Sequence, residues 1–177
     1  MEEATERLVK LFLESKGFVV KTDVKQRVGK NNSLIAIDLL AIREVHKNDC
    51  LPDKILAEVK SYSLDPSLIK EIQSKIGFKS RDDSERLKLF NQQELRAKFL
   101  AGIEKEYGRG FKFLLFTRGI VKKHEKLIKE FLDKHKFKHI SHEEVIKGLV
   151  DYSKTHSYSN DSELQLLRLL REFKFIN

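Results

Sequence analysis

Leu34–Ile42 reads LIAIDLLAI and Lys54–Lys60 reads KILAEVK, and between them these two stretches decide the architecture. Each is an apolar, β-branched run of strand length, and each carries charge where a buried strand has no ordinary use for it. In the first, Asp38 stands alone among aliphatic residues. In the second, the run ends in Glu58-Val59-Lys60. An unpaired charge in a dry strand costs several kcal/mol or changes its protonation state, by the usual magnitudes. Along a strand, side chains alternate, so Glu58 and Lys60 share one face while Ala57 and Val59 take the other. Two acids and a lysine converging on one point suggest a divalent-metal site with a cation beside it. The alternative is a buried ion-pair cluster that holds two strands in register, a use for which such clusters are weak stabilisers.

Outward from these runs, residues 3–16 form an amphipathic helix with Leu8, Leu11, Phe12 and Leu13 in phase, and Gly17 stops it. Residues 18–28 alternate as a strand, and the turn cluster at 29–33 sends the next strand back antiparallel. The result is a helix followed by a three-strand meander. Helices are expected at 66–78, 84–107, 122–135, from 141 to about 152, and 162–173. A late strand is expected at 111–117 and a short edge strand at 137–140. In the helix at 122–135, Leu127, Ile128, Phe131 and Leu132 should face inward. Ser141 and Glu144 are spaced as a capping box. A long helical connection returning to 111–117 places that strand parallel to one of the meander. The expected class is α/β, a mixed central sheet flanked by helices. At 177 residues, one domain suffices, with a core over about 3–140 and a helical extension over about 141–177.

Charge narrows the partner. Lysine and arginine number 35 against 27 acids, a net +8, and residues 105–138 hold eleven bases against four acids. A polyanion such as nucleic acid is the natural partner of that stretch. One cysteine, Cys50, excludes an internal disulfide framework and a cysteine-rich zinc site. The histidines read as surface or cap residues, and most phenylalanines as core. The apolar runs are too short for a membrane span, so a cytoplasmic setting with no membrane partner is the expectation.

Taken with the helix at 3–16, the pair Asp38 and Glu58-Val59-Lys60 on adjacent antiparallel strands resembles the PD-(D/E)xK nuclease superfamily, the restriction-endonuclease-like fold. Ile37 stands at the motif's proline. Glu6, eleven residues before Gly17, adds a similarity to the archaeal Holliday-junction resolvases, in which a helix glutamate joins the metal site. The resemblance covers roughly residues 3–78 by named residues and extends to 111–117 by architecture alone.

It implies a metal-dependent endonuclease hydrolysing DNA phosphodiester bonds. Asp38, Glu58, the Val59 carbonyl and Glu6 would hold Mg²⁺, for which Mn²⁺ would substitute, with no small-molecule cofactor. Lys60 would position the attacking water or stabilise the phosphorane. Ser61 and Gln73 fit phosphate-facing positions. Apart from the resemblance, Arg118, Lys122 and Lys123 at the end of the late strand read either as contacts to a DNA backbone or as ordinary solvated bases. A homodimer is expected, since one small subunit cuts one strand. Two other readings stay open: a structure-selective resolvase, and a catalytically inactive nuclease fold that binds DNA.

Overall fold

The computed structural model describes residues 4–28, 33–45, 47, 49–65, 93–155 and 165. Five strands form one open sheet in the order β1-β2-β3-β4-β5. They are β1 (Val19–Val28), β2 (Ser33–Ile42), β3 (Lys54–Lys60), β4 (Lys112–Thr117) and β5 (Lys138–Ser141). The first three pair antiparallel as the meander requires. β4 then joins β3 in parallel, and β5 joins β4 in parallel, so the sheet is mixed. Among the described residues it is accompanied by the α-helices α1 (Ala4–Ser15), α2 (Gln93–Tyr107), α3 (Glu125–His135) and α4 (His142–Thr155). The mixed sheet flanked by helices is the α/β class expected. The expected turn at residues 29–32, the expected helix at 66–78 with Gln73, the start of the one expected at 84–107 and, apart from residue 165, the one expected at 162–173 lie outside the described residues.

The core is two layers, one on each face of the sheet. Phe99 and Ile103 of α2 and Ile128, Phe131 and Leu132 of α3 pack with Leu40, Leu56, Phe113 and Leu115 on one face. Val9, Leu11, Phe12 and Leu13 of α1 and Val145 and Leu149 of α4 pack with Leu39, Ala57, Leu114 and Phe116 on the other. Each such side chain contributes about 1.5–3 kcal/mol on full burial. β3 and β4 are covered on both faces, which explains why they read as continuous apolar runs instead of alternating. α1 and α4 approach closely at Gly148, where an added Cβ would lie 2.5 Å from the Phe12 ring. Among the described residues, no helix is long and apolar enough to cross a membrane.

Helix ends follow the local chemistry. Gly17 takes φ +87°, and the Phe18 N–H donates to the Leu13 carbonyl at 3.1 Å, the left-handed stop expected of that glycine. Ser141 and Glu144 form the reciprocal capping box: the Glu144 carboxylate accepts from the Ser141 N–H at 2.7 Å, and the Ser141 hydroxyl accepts from the Glu144 N–H at 3.2 Å.

Three expectations need correction. The stretch expected to begin α3 at 122 opens as a 3₁₀ turn, Lys122–His124, before the α-helix starts at Glu125. Leu127, at the edge of that helix's apolar arc, is exposed while Ile128, Phe131 and Leu132 are buried. α4 runs on to Thr155, past the expected end near residue 152, because Ser153 faces inward and returns its hydroxyl to the Val150 carbonyl at 2.7 Å.

Candidate functional site

Leu39 opposite Ala57 is the last pair of the β2–β3 ladder, so the two strands part just before Asp38 and Glu58. The β1–β2 ladder is interrupted at the same level. Pairs Thr22–Leu39 and Val24–Ile37 bracket Asp23 and Asp38, which drop out of it. Asp23 there adopts φ +49°, a conformation that aspartate tolerates better than most residues. The interruption resets the alternation of β2: Ile37 joins Leu40 in one core layer, while Leu39 and Ala41 belong to the other. Asp38 sits at this kink with its carboxylate turned toward β3, where Oδ2 accepts a hydrogen bond from the Val59 N–H at 2.8 Å. A side-chain oxygen thus takes the place of a ladder carbonyl, and a buried backbone donor is satisfied.

Glu58 and Lys60 meet beside it. Lys60 Nζ lies 2.9 Å from Glu58 Oε1. Glu58 is fully buried, Asp38 is 3% exposed, and the Lys60 side chain retains 12%, so the acids lie beneath and the ammonium at the mouth. Burial pulls the Lys60 pKa down, but the charges of Glu58 and Asp38 and the hydrogen bond to Glu58 outweigh it, and the net shift is upward from 10.5. The phenol of Tyr62 adds to that upward pull. Asp38, Glu58, Val59 and Lys60 therefore come together as their positions on two strands anticipated.

The other candidate residues are placed more loosely. Glu6 is half-buried on α1. Among the described residues no three His, Cys, Asp or Glu side chains gather as ready-made metal ligands. Ser61 is exposed directly after β3. Arg118, Lys122 and Lys123 are exposed on the segment that follows β4, at the same end of the sheet as Lys60, which pairs with Thr117.

That segment is tied to the one following β3. Arg118 N–H donates to the Tyr62 carbonyl at 3.1 Å, Leu64 N–H to the Gly119 carbonyl at 2.8 Å, and Val121 N–H to the Leu64 carbonyl at 3.0 Å. The parallel pairing of β3 and β4 is thereby carried beyond the strands, forming a lip at the Lys60 end of the sheet. Thr117, fully buried, braces the turn: its Oγ1 contacts the Gly119 carbonyl at 3.1 Å and accepts from the Gly119 N–H at 3.2 Å. His139 Nε2 lies 2.8 Å from the same oxygen. His139 is accordingly a half-buried member of this network, not the surface or cap residue its surroundings in sequence suggest. Burial lowers its pKa from 6.5; the Glu144 charge opposes this and His142 adds to it. Tyr62, Thr117 and His139 gave no signal in sequence, because pairing across strands brings them to the site, not spacing along the chain.

No protein-family model matches the chain, and no curated protein matches it. Among solved structures it is similar to the crystal structure of protein of unknown function AF1548, at 18% identity and a TM-score of 0.45. The alignment covers 80% of this chain and 63% of that one, so the chain spans under two thirds of that neighbour's length.

Proposed function

We propose that this chain is a divalent-metal-dependent endonuclease of the PD-(D/E)xK type, hydrolysing DNA phosphodiester bonds at Asp38, Glu58 and Lys60. The observation that carries the reading is the Asp38 carboxylate, held on the Val59 N–H at 2.8 Å against the buried Glu58–Lys60 pair. Two acids set beneath one lysine make a site that favours a further cation.

The donor set fits magnesium. That ion prefers hard oxygens and is commonly held by one or two carboxylates, with waters and substrate phosphate completing its shell. Asp38 and Glu58 would supply the carboxylates and the Val59 carbonyl a third oxygen, and Mn²⁺ would serve the same ligands. When bound, such an ion lowers the pKa of a water and offsets charge on the phosphate. The chain's own residues do the rest. The Val59 N–H fixes the rotation of Asp38. Lys60, with three donors at the mouth, meets a phosphate oxygen or the attacking water. Ser61, Arg118, Lys122 and Lys123 on the lip would bind flanking phosphates, which positions a duplex without reading its sequence. Glu6 on α1 would hold a second metal or orient its waters. A homodimer would cut both strands, and a single cysteine suits a cytoplasmic setting.

One observation favours a second reading. Glu58 Oε1 already holds Lys60, as it would in a nuclease fold kept only as a DNA-binding scaffold. Supercoiled plasmid, four-way junction and single-stranded substrates, assayed side by side with Mg²⁺ and with EDTA, separate the readings. Wild type is expected to cut only with metal, and junction preference over linear duplex would mark a resolvase. Asp38→Asn keeps an oxygen for the Val59 N–H, so it should fold normally yet lose cleavage by about a thousandfold, or roughly 4 kcal/mol. DNA binding without cleavage in either Mg²⁺ or Mn²⁺ would establish the scaffold.

A further inference from the structure

The phenylalanines among the described residues are drawn inward. Phe12, Phe18, Phe99, Phe111, Phe113, Phe116, Phe131 and Phe137 are all buried. Six large hydrophobic side chains are substantially exposed among the described residues, and Tyr62, at 45%, is the one aromatic ring of the six. It stands two residues beyond Lys60, close enough for its phenol to act on the lysine's charge. The five others are aliphatic side chains. Single exposed apolar residues need no explanation by themselves. A ring at the mouth of a charged site calls for one.

The backbone that carries Tyr62 is fixed. Its carbonyl accepts from Arg118, and Leu64, 2% exposed, anchors the same segment through its bonds to Gly119 and Val121. The ring is thus carried on a braced segment whose backbone is bonded to Arg118, and Arg118, Lys122 and Lys123 are all exposed along the segment that partners it. An aromatic face among cations that track phosphates is the chemistry by which proteins hold single-stranded nucleic acid. A base inside continuous duplex has both faces covered by its neighbours. To meet this ring it must leave the stack, at a cost of a few kcal/mol that an unpaired nucleotide does not bear.

We propose that Tyr62 is a stacking platform for an unpaired nucleobase beside the scissile phosphate. The preferred substrate is then nucleic acid with an unpaired nucleotide at the cut, such as a single strand, a flap or a splayed end. The inference rests on the nuclease reading for what happens to the phosphate, but its binding half is testable alone.

The experiment measures fluorescence anisotropy of a labelled single-stranded oligonucleotide and its matched blunt duplex in EDTA, with wild type, Tyr62→Phe and Tyr62→Leu. Tyr62→Phe is expected to match wild type on both. Tyr62→Leu is expected to weaken single-strand binding by about fivefold to a hundredfold and to leave duplex binding within about twofold. A 2-aminopurine in the strand should change its emission on binding wild type and Tyr62→Phe, but not Tyr62→Leu. Equal losses on both substrates, no loss on either, or a Tyr62→Phe as weak as Tyr62→Leu would each overturn the proposal. A selective loss in a protein that cuts nothing would retain the platform and reject the nuclease. Cleavage with no selective loss would do the reverse.

Discussion

Two ionic clusters sit at opposite ends of the β2–β3 pair, each made of two acids and one base, and they are built inside out relative to one another. At the end where β2 leads into the connection, Arg43 has a side chain only 1% exposed, and its partners Asp49 and Asp53 reach solvent at 26% and 40%. Its guanidinium donates to both Asp49 oxygens at 2.7 Å, to Asp53 at 2.8 Å and to the Leu51 carbonyl at 2.7 Å, and it lies over the Phe18 ring. At the other end the acids are buried and the base faces out. The first arrangement is a closed fork in which the buried charge meets planar acceptors on every side, as a structural clamp requires. The second leaves a compact, rotatable ammonium over two buried carboxylates, the arrangement on which the proposed metal and phosphate chemistry rests. The number of charges is the same; which sign is buried separates a clamp from a site.

Swapping the two bases tests this contrast most severely. Lys60→Arg keeps the charge and should keep the fold, but its planar fork would bind the carboxylates in place, and cleavage should fall by about a thousandfold, roughly 4 kcal/mol of transition-state stabilisation. Cleavage near wild type would reduce Lys60 to a counter-ion. Arg43→Lys should do the opposite. It gives up the fork and the ring contact, and urea unfolding should show a loss of about 2–3 kcal/mol, with cleavage per folded molecule unchanged. A stable Arg43→Lys would show that the clamp is decorative.

Acid should also distinguish the ends. His139 braces the lip beside the site, and its folded pKa lies below the unfolded 6.5. The unfolded chain therefore takes up a proton first, so stability is complete above pH 6.5 and is lost as pH falls through the window beneath it. Urea midpoints on either side of pH 6.5 should show this loss, and His139→Gln should shrink it. The smallest change is a local one. Lys136 ends α3 in the left-handed conformation at φ 56°, with the Phe137 N–H donating to Leu132 at 2.9 Å. Glycine has no Cβ penalty there, so Lys136→Gly should raise stability by about 1 kcal/mol in a thermal melt without touching either cluster.

How much of this was legible depended on the range of the interaction. Strand β3 was readable to its ends, because Lys54 and Lys60 bracket five apolar or acidic residues with no turn former among them. The capping box at Ser141 and Glu144 and the stop at Gly17 are local chemistry and were readable too. Leu127 was misjudged because it sits at the edge of the α3 apolar arc, where periodicity does not decide the side, and Lys122–His124 carries no residue that announces its 3₁₀ turn. The kink at Asp38 was invisible for a different reason: it needs Asp23, fifteen positions earlier, to leave the β1–β2 ladder at the same level.

By itself, the sequence determined the periodicity of the helices and strands, the antiparallel meander with its parallel return, and the presence of Asp38, Glu58 and Lys60 in stretches that would be buried. Those follow from side-chain volume, hydropathy and turn preference within a few residues. Tertiary structure alone decided that the Asp38 carboxylate would turn onto the Val59 N–H, and that the Tyr62 backbone would be tied to Arg118 just beyond Lys60. Each depends on where strands separate and which loops then join, a matter of packing between segments far apart in the chain, on which neighbouring residues have no bearing.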